Sequence, residues 1–544
     1  MGRPNSRRRR VIAFVVIPLT TAALAIGGTT AALADTRPQN SGPATVSADA
    51  LPTAQINGVA WTQVIVGDTV YVGGEFTKAR PAGAKPGKDE VSRRDLLAYR
   101  LSTGELLPWA PKVDGAVKGL AASDDGATIY AVGTFDTANG AKHQRIAGFD
   151  SQSGDVRDNF DPGLNSAAYA VAVSGDTVYV GGHFTSANGK ARAHAAAFTR
   201  TNGSLTAWAP KTNENVQAIV VSGSGNSAVL GGRFTKVNGE TQRGSERVST
   251  SGVGKNLSWK LNSVVGNNGP DAAVYSLSTS NGIVYGTGYS FHPKAGTPGK
   301  RIEGTFAASF DDGSIKWLED CHGDTYGATA NNGVVYIAGH PHFCGNVGGF
   351  KSVPYNFQRA LAFTTAATHK LKANKVKPYS SFGGEPAPSI LQWYPYFEAG
   401  SYTGQNQGPW TVASSGRYVA YAGEFKHING HLQQGLARFA PPELAPNKQG
   451  PLRHGTAFTT SAKYAKGKVT VTWLLNSDRD NQSLNYAVYR GSTLIATVNR
   501  SSKVWYSGAK TSLTDSGGKK GDTYHVVATD PFGNSATGAT IKAK

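Results

Sequence analysis

The densest group of reactive side chains lies between residues 321 and 344. It comprises Cys321-His322-Gly323-Asp324-Thr325 and, a strand's length later, Gly339-His340-Pro341-His342-Phe343-Cys344. Three imidazoles beside a carboxylate form a donor set suited to a divalent cation such as zinc, which would activate a bound water. His322, His340 and His342 are therefore the metal candidates, with Asp324 as a fourth donor. Cys321 and Cys344 are the only cysteines of the chain. In an exported protein such a pair is best read as a disulfide, whose closed loop constrains the unfolded chain by roughly 3 kcal/mol. The bridge and the metal are compatible, since one would fix the loops that present the other.

A second set of polar residues recurs along the chain. Turns carry Asn57, Asp114, Asn165, Asn213, Asp271, Asp324 and the run Gln405 to Trp410, and strand ends carry Glu75, His183, Arg233, His340, His342 and Glu424. Brought to one face, these groups would ring a ligand site, and paired carboxylates among them could act as acid and base on a glycosidic bond. The ligand-binding candidates are Glu75, His183, Arg233, Asp324, Gln405, Gln407, Trp410 and Glu424. Against this stands the dominance of Asn and Asp in tight turns for purely conformational reasons. The stretch from Thr368 to Pro409 adds Trp393-Tyr394-Pro395-Tyr396-Phe397 and Tyr402. Those aromatics either stack on sugar rings or, as large aromatics usually do, fill a core. No P-loop, dinucleotide fingerprint, nucleophile elbow or H-E-x-x-H is present, so no catalytic residue is assigned.

The elements that would position these residues follow from a repeat of about fifty residues. Val70-Tyr71-Val72-Gly73-Gly74-Glu75-Phe76 returns at 129–135, 178–184 and 229–234, in weaker form at 283–291 and 334–343, and again at 418–425. The first four phenylalanines lie 59, 49 and 50 residues apart, within the range of propeller blades. In the third copy Ala168–Val173, Thr177–Phe184, His194–Thr199 and Ser204–Ala209 read as four strands, separated by Ser-Gly-Asp, Ala-Asn-Gly and Asn-Gly turns. The glycine doublet allows close backbone approach, and the phenylalanine packs between sheets. The last copy lacks its fourth strand, whereas Ala50 to Ala54 occupies the place that Leu107 to Pro111 holds in the next unit. The start of the chain is thus expected to complete the last sheet and remove an open edge.

The pattern G-G-x-F-T-x-x-N-G, an apolar strand and x-G-x-L-x-x-W is carried by Gly181 to Gly189, His194 to Phe198 and Gly203 to Trp208. Gly231 to Gly239 with Trp259, and Gly423 to Phe439, repeat it. It resembles the delta-sixty β-propeller repeat of exported bacterial proteins, over roughly residues 46–440. Kelch repeats also pair a glycine doublet with a downstream Trp, but the F-T-x-x-N-G loop is not theirs. The resemblance implies a fold and no shared activity. After Pro441, Pro442, Pro446 and Pro451, the strand Val469 to Trp473 and the run Tyr524 to Asp530 resemble a fibronectin type III module. Its seven short strands would form a β-sandwich.

The expected fold is therefore all-β: a seven-bladed β-propeller over 46–440, a stiff Pro-rich linker at 441–455 and a fibronectin type III-like β-sandwich at 456–544. Residues 1–34 show a basic start (Arg7 to Arg10), an apolar run and Ala32-Leu33-Ala34, the layout of a cleaved signal peptide. Removing them takes away five arginines and no acid, so the net charge falls from +19 to +14. Residues 456–544 hold 12 Lys+Arg and 5 Asp+Glu, half of that excess. A basic exported protein is drawn to polyanions. No Lys/Arg block is interleaved with aromatics as a dedicated nucleic-acid site would be.

Function is expected to be binding or scaffolding outside the cell, directed to a glycan or anionic cell-wall polymer, by a monomer with no resident cofactor and no membrane span after cleavage. A polysaccharide-active enzyme, hydrolase or lyase, is the alternative. A purely structural surface protein is the third, and it predicts a plugged channel.

Overall fold

The computed structural model describes residues 42–291, 300–351, 357–505 and 508–544. The signal sequence expected at 1–34 lies outside them. Apart from one short 3₁₀ turn at Lys260–Ser263, the regular elements are strands. No helix among the described residues is long and apolar enough to cross a membrane.

The first strand of each repeat, starting with Val59–Val66, packs on the first strand of the next: Val117–Ala122, Ala168–Ser174, Val216–Val221, Ala272–Ser280, Thr325–Asn331 and Pro409–Ser415. The last of these touches the first, so the sheets close a ring around an axis. That is a β-propeller. The ends of the ring are joined as the pattern demands. Leu51 bridges Arg438 antiparallel, and Ser47 N donates to Ala440 O at 2.9 Å.

The expected fourth strand needs correction for the first four sheets. Each is three-stranded, and the fourth segment survives only as a single bridge, Tyr99 to Leu106, Phe149 to Val156, Phe198 to Leu205 and Val248 to Asn256. In the first and third sheets the reason lies in the tryptophan three residues beyond the bridge. Trp109 and Trp208 leave their own sheets and donate their indole N–H to Asp150 O and Ser249 O of the next repeat, at 2.9 Å each. Trp109 also meets Tyr71 and Phe149 edge-on, so the segment fills the gap between sheets instead of extending one. The sheets starting at Ala272 and Thr325 do reach four strands; in the latter the fourth strand is Pro386–Ile390.

Each element of the repeat phrase has a mechanical role. Asn57, Asp114, Asn165 and Asn213 each accept two backbone N–H bonds from the residues just after the conserved-pattern phenylalanine, as in Asn165 Oδ1 with Thr185 N and Ser186 N at 2.9 Å. The Asn of N-G sits at positive φ, 46° at Asn188, and ties the hairpin to Gly163 N and Gly203 O. A Cβ on Gly74 or Gly182 would lie 2.1 or 2.4 Å from the facing carbonyl of the innermost strand, so only glycine fits.

Beyond the ring, residues 460–474 and 510–515 form one sheet, and 483–501, 523–529, 535–537 and 541–542 another. They share a core of Val471, Trp473, Tyr486, Val488 and Val526. This adds one strand to the seven expected. The Pro-rich segment is fastened to the ring at residues 448 and 449. Lys448 N and Gln449 N donate to Asp49, and the loop at 478–480 is bonded to the ring through Tyr394 N to Arg479 O, Gln392 Nε2 to Asp478 O and Ala48 N to Asp480 Oδ2. Buried and half-buried hydrogen bonds of this kind hold the second body against the ring.

Candidate functional site

The innermost strands all carry a bulge at the same place. The register skips one residue at Trp61, Lys118, Tyr169, Gln217, Tyr275, Tyr326 and Trp410. A bulge re-aims the unpaired residue. Here the re-aimed side chains meet across the axis. Trp61 and Trp410 ring centroids are 4.9 Å apart, Tyr326 and Trp410 4.2 Å, and Tyr275 and Tyr326 5.5 Å. Tyr275 and Trp410 come from sheets that are not neighbours and still approach to 6.3 Å. The channel is therefore closed by an aromatic plug. Lys118 Nζ lies 3.7 Å from the Trp61 ring centroid. Burial pushes that amine down to about 8, while Glu75 acts the other way.

One position toward the mouth, the second strands contribute Glu75, Thr134, His183, Arg233, Tyr289, His340 and Glu424 in matching register. Five of the six residues expected at the strand ends stand in this ring, Thr134 and Tyr289 join them, and His342 lies outside it, two residues beyond His340. His183 Nδ1 lies 2.6 Å from Asn215 Oδ1, and Arg233 Nε donates to the Tyr289 hydroxyl at 2.9 Å. Glu75 is exposed and acts electrostatically on Lys118 and Tyr402.

Glu424 departs from expectation. It is 2% exposed and accepts Thr403 N, Thr403 Oγ1 and Gln407 N. Its carboxylate holds the 401–407 loop and is not offered to a ligand. Gln405 remains exposed on that loop, whereas Gln407 is drawn inward to His340, Oε1 to Nδ1 at 2.9 Å. Trp410 is 4% exposed and belongs to the plug rather than to an open stacking surface. Trp393, Tyr394 and Phe397 are at most 1% exposed and fill the core, leaving Tyr396 and Tyr402 exposed.

Asp324 also differs in role from the other turn residues. The bulged residue follows the clasping Asn or Asp by four positions in the early repeats, as Asn57 to Trp61 and Asn165 to Tyr169. By that count His322, not Asp324, stands at the clasp, and Asp324 lies two residues deeper. The Tyr326 hydroxyl is 3.3 Å from both Asp324 Oδ2 and His340 Nδ1. Burial raises the Asp324 carboxyl and lowers His340, and their mutual attraction opposes both shifts. Glu303 lies behind them, its carboxyl accepting Gly323 N at 2.8 Å and pushed up to about 8 by burial and by Asp324.

The disulfide Cys321–Cys344 is present, and no free cysteine remains. The three histidines do not converge on one metal position. His322 and His342 ring centroids are 6.4 Å apart, and His322 is stacked between Tyr379 and Phe343 at 3.8 and 4.8 Å. Burial drives its imidazole down to about 3. Among the described residues the one group with metal-ligand spacing is Glu319 with Cys321 and Cys344, and its sulfurs are committed to each other.

Lys118, Trp61, Tyr275, Tyr289 and Tyr326 were not singled out by sequence reasoning. An offset of four from the turn residues Asn57 and Asp271 locates Trp61 and Tyr275, two of the four rings of the plug.

No protein family matches the sequence, and no curated protein is similar to it. Among solved structures the β-propeller domain of Myceliophteria thermophila Cps50 (Swd1) is similar, with a TM-score of 0.37 and 10% identity, covering 72% of this chain and 99% of that one. Nothing about ligand or activity is taken from that likeness.

Proposed function

We propose that the chain is an exported binding protein of the delta-sixty type, a seven-bladed propeller with a fibronectin type III-like appendage, that engages a glycan or anionic cell-wall polymer at the channel mouth. The observation that carries this is the composition of the mouth. An aromatic floor of Trp61, Tyr275, Tyr326 and Trp410 lies under a polar rim with one amine, Lys118, and one guanidinium, Arg233. Trp61 and Tyr275, the half-buried members of the plug, offer an apolar edge to a sugar ring, and the polar groups beside them suit its hydroxyls. Lys118 and Arg233 favour an acidic sugar or phosphate. The disulfide and the basic charge of the chain accord with an extracellular address.

A second reading, an enzyme on polysaccharide, draws on the Asp324–His340–Tyr326 cluster, whose shifted groups could carry a proton. The engagement of Glu424 removes one carboxylate from a paired-carboxylate hydrolysis, so proton abstraction from an acidic sugar fits this cluster better. The plug itself was the expectation of the purely structural reading. It closes the channel, and the polar strand ends Glu75, His183 and Arg233 stand beside it.

The test is retention of the intact protein in affinity electrophoresis through acidic and neutral polysaccharides, with Lys118→Gln and Glu75→Gln beside wild type. Retardation by an acidic polymer that Lys118→Gln weakens tenfold supports binding at the mouth. No retardation by any polymer, or retardation indifferent to both variants, sinks the proposal. Release of unsaturated sugar ends, abolished in His340→Ala, would move the chain to the enzyme reading.

A further inference from the structure

A small cavity, of about 170 Å³, lies where the ring meets the C-terminal sheets; Phe357, Arg359, Tyr394, Tyr396 and Arg479 line it. Arg359 immediately precedes the third strand of its sheet, Ala360–Lys370, and Arg479 sits in the loop bonded to the ring. The two guanidinium groups thus come from different bodies and share one space.

Neither arginine has an ion pair within 4 Å among the described residues. Arg359 makes only long bonds to carbonyls, Phe397 O and Asn406 O at 3.4 Å each, and Arg479 Nη1 donates to Tyr394 O at 3.1 Å. The Nε of each is buried without a partner. Asp478, Asp480 and Asp49 act on Arg479 from a distance, but Asp480 is engaged by Ala48 N, Ser47 Oγ and Asn481 Nδ2, and Asp49 by Lys448 N and Gln449 N. Burial lowers both guanidinium groups and pushes Asp478 up to about 7.

A docking clamp alone does not require this chemistry. Two half-buried cations in one cavity are costly without an anion between them, and a neutral side chain could make the same carbonyl contacts. Guanidinium forks match the paired oxygens of carboxylates and phosphates. The Arg359 guanidinium also lies 5.5 Å from the Phe357 ring centroid, and Tyr396 is 48% exposed at the opening. The volume is well below the roughly 300 Å³ at which drug-sized pockets begin, so it suits a single small unit.

We propose that this junction is an oxyanion site, in which Arg359 and Arg479 bind one carboxylate or phosphate group of a small sugar acid or phosphate ester flanked by Phe357 and Tyr396. Its four residues are not those of the channel mouth, Phe357 meeting His340 only edge-on at 5.4 Å, and titration with small anions distinguishes its failure from that of polymer retention at the mouth. A ligand there bridges the two bodies and stabilises their contact.

Isothermal titration of the intact protein at fixed ionic strength tests this with sodium glucuronate, glycerol 1-phosphate and, as the neutral control, glucose. The expected result is one-to-one binding of at least one anion, none of glucose, and a tenfold or greater rise in Kd in Arg359→Gln and in Tyr396→Ala. Which anion binds tells whether the natural source is an acidic sugar or a phosphate-linked polymer. Should Arg359→Gln fail to fold, Arg359→Lys, which keeps the charge and loses the fork, and the exposed Tyr396→Ala still decide. Absence of binding by both anions, or binding that Tyr396→Ala and the Arg359 variant leave unchanged, overturns the site.

Discussion

Leu51 and Arg438, 387 residues apart, are backbone partners: Leu51 N donates to Arg438 O at 2.8 Å. The Arg438 side chain is bound to the same strand, its guanidinium donating to Thr53 Oγ1 and Pro52 O, and to Leu101 O of the first sheet. One buried arginine therefore ties the chain's beginning, the first sheet and the last sheet together. Closure of a ring by its two ends makes every sheet depend on that seam.

Deleting the residues up to Thr53 exposes the edge of Leu436–Phe439, and an unpaired edge invites pairing with other chains. The expected outcome is a loss of more than about 10 °C in Tm and oligomers in size-exclusion chromatography. The milder Arg438→Met, which strands three buried acceptors, is expected to cost about 3 kcal/mol in urea unfolding. A truncated chain that stays monomeric with wild-type Tm would mean that the seam is dispensable.

The Cys321–Cys344 bridge closes a loop with a sequence separation of 23. Replacing both cysteines by serine is expected to lower stability by about 3 kcal/mol. The loop carries Asp324 and His340, so mouth binding should weaken in the same variant beyond what lost stability explains. Reductant should reproduce the stability loss in wild type and have no effect on the serine variant.

Glu303 sets a pH dependence whose sign can be worked out. Its folded value of about 8 lies above the ordinary 4.5, so between those values the folded chain holds a proton the unfolded chain has released. Its contribution is complete below about pH 4.5 and is lost as pH rises through about 8. Glu303→Gln should therefore match wild type near pH 5 and exceed it at pH 9, by an amount on the order of a few kcal/mol. Equal Tm differences at the two pH values would refute the assignment.

Glu424 and Glu75 occupy the same register position and should behave oppositely. Glu424→Ala removes three bonds to the 401–407 loop and is expected to cost about 2–3 kcal/mol, with rapid proteolysis near Tyr402. Glu75→Gln should leave Tm within about 1 °C, since surface changes are usually small, and alter only ligand retention. Limited trypsin and chymotrypsin digestion separates the two.

Asn165 accepts Thr185 N and Ser186 N and donates to Thr185 Oγ1. Asn165→Ala should lower stability by about 1 kcal/mol without affecting any ligand. A binding defect with unchanged stability would restore the turn residues as ligand groups.

Much of this was legible in the chain itself, because the signals are local. The repeat period, the glycine doublet and the N-G hairpins each report on neighbours within a few tens of residues, and the missing last strand shows in the last copy of the repeat itself. The two cysteines had only each other. What the sequence could not determine was where alternating side chains point after a bulge. One skipped residue in each innermost strand turns Trp61, Tyr326 and Trp410 onto the axis and gathers them into a plug, and strand alternation read from sequence has no means of registering it. The same limit hid the burial of Glu424, whose partners in the 401–407 loop come from a long irregular segment. It also hid the docking of the C-terminal sheets, where Arg479 reaches Tyr394 across 85 residues. Local turn chemistry and period are written in consecutive residues; the direction of a side chain in a closed ring is decided only when distant strands take their register against one another.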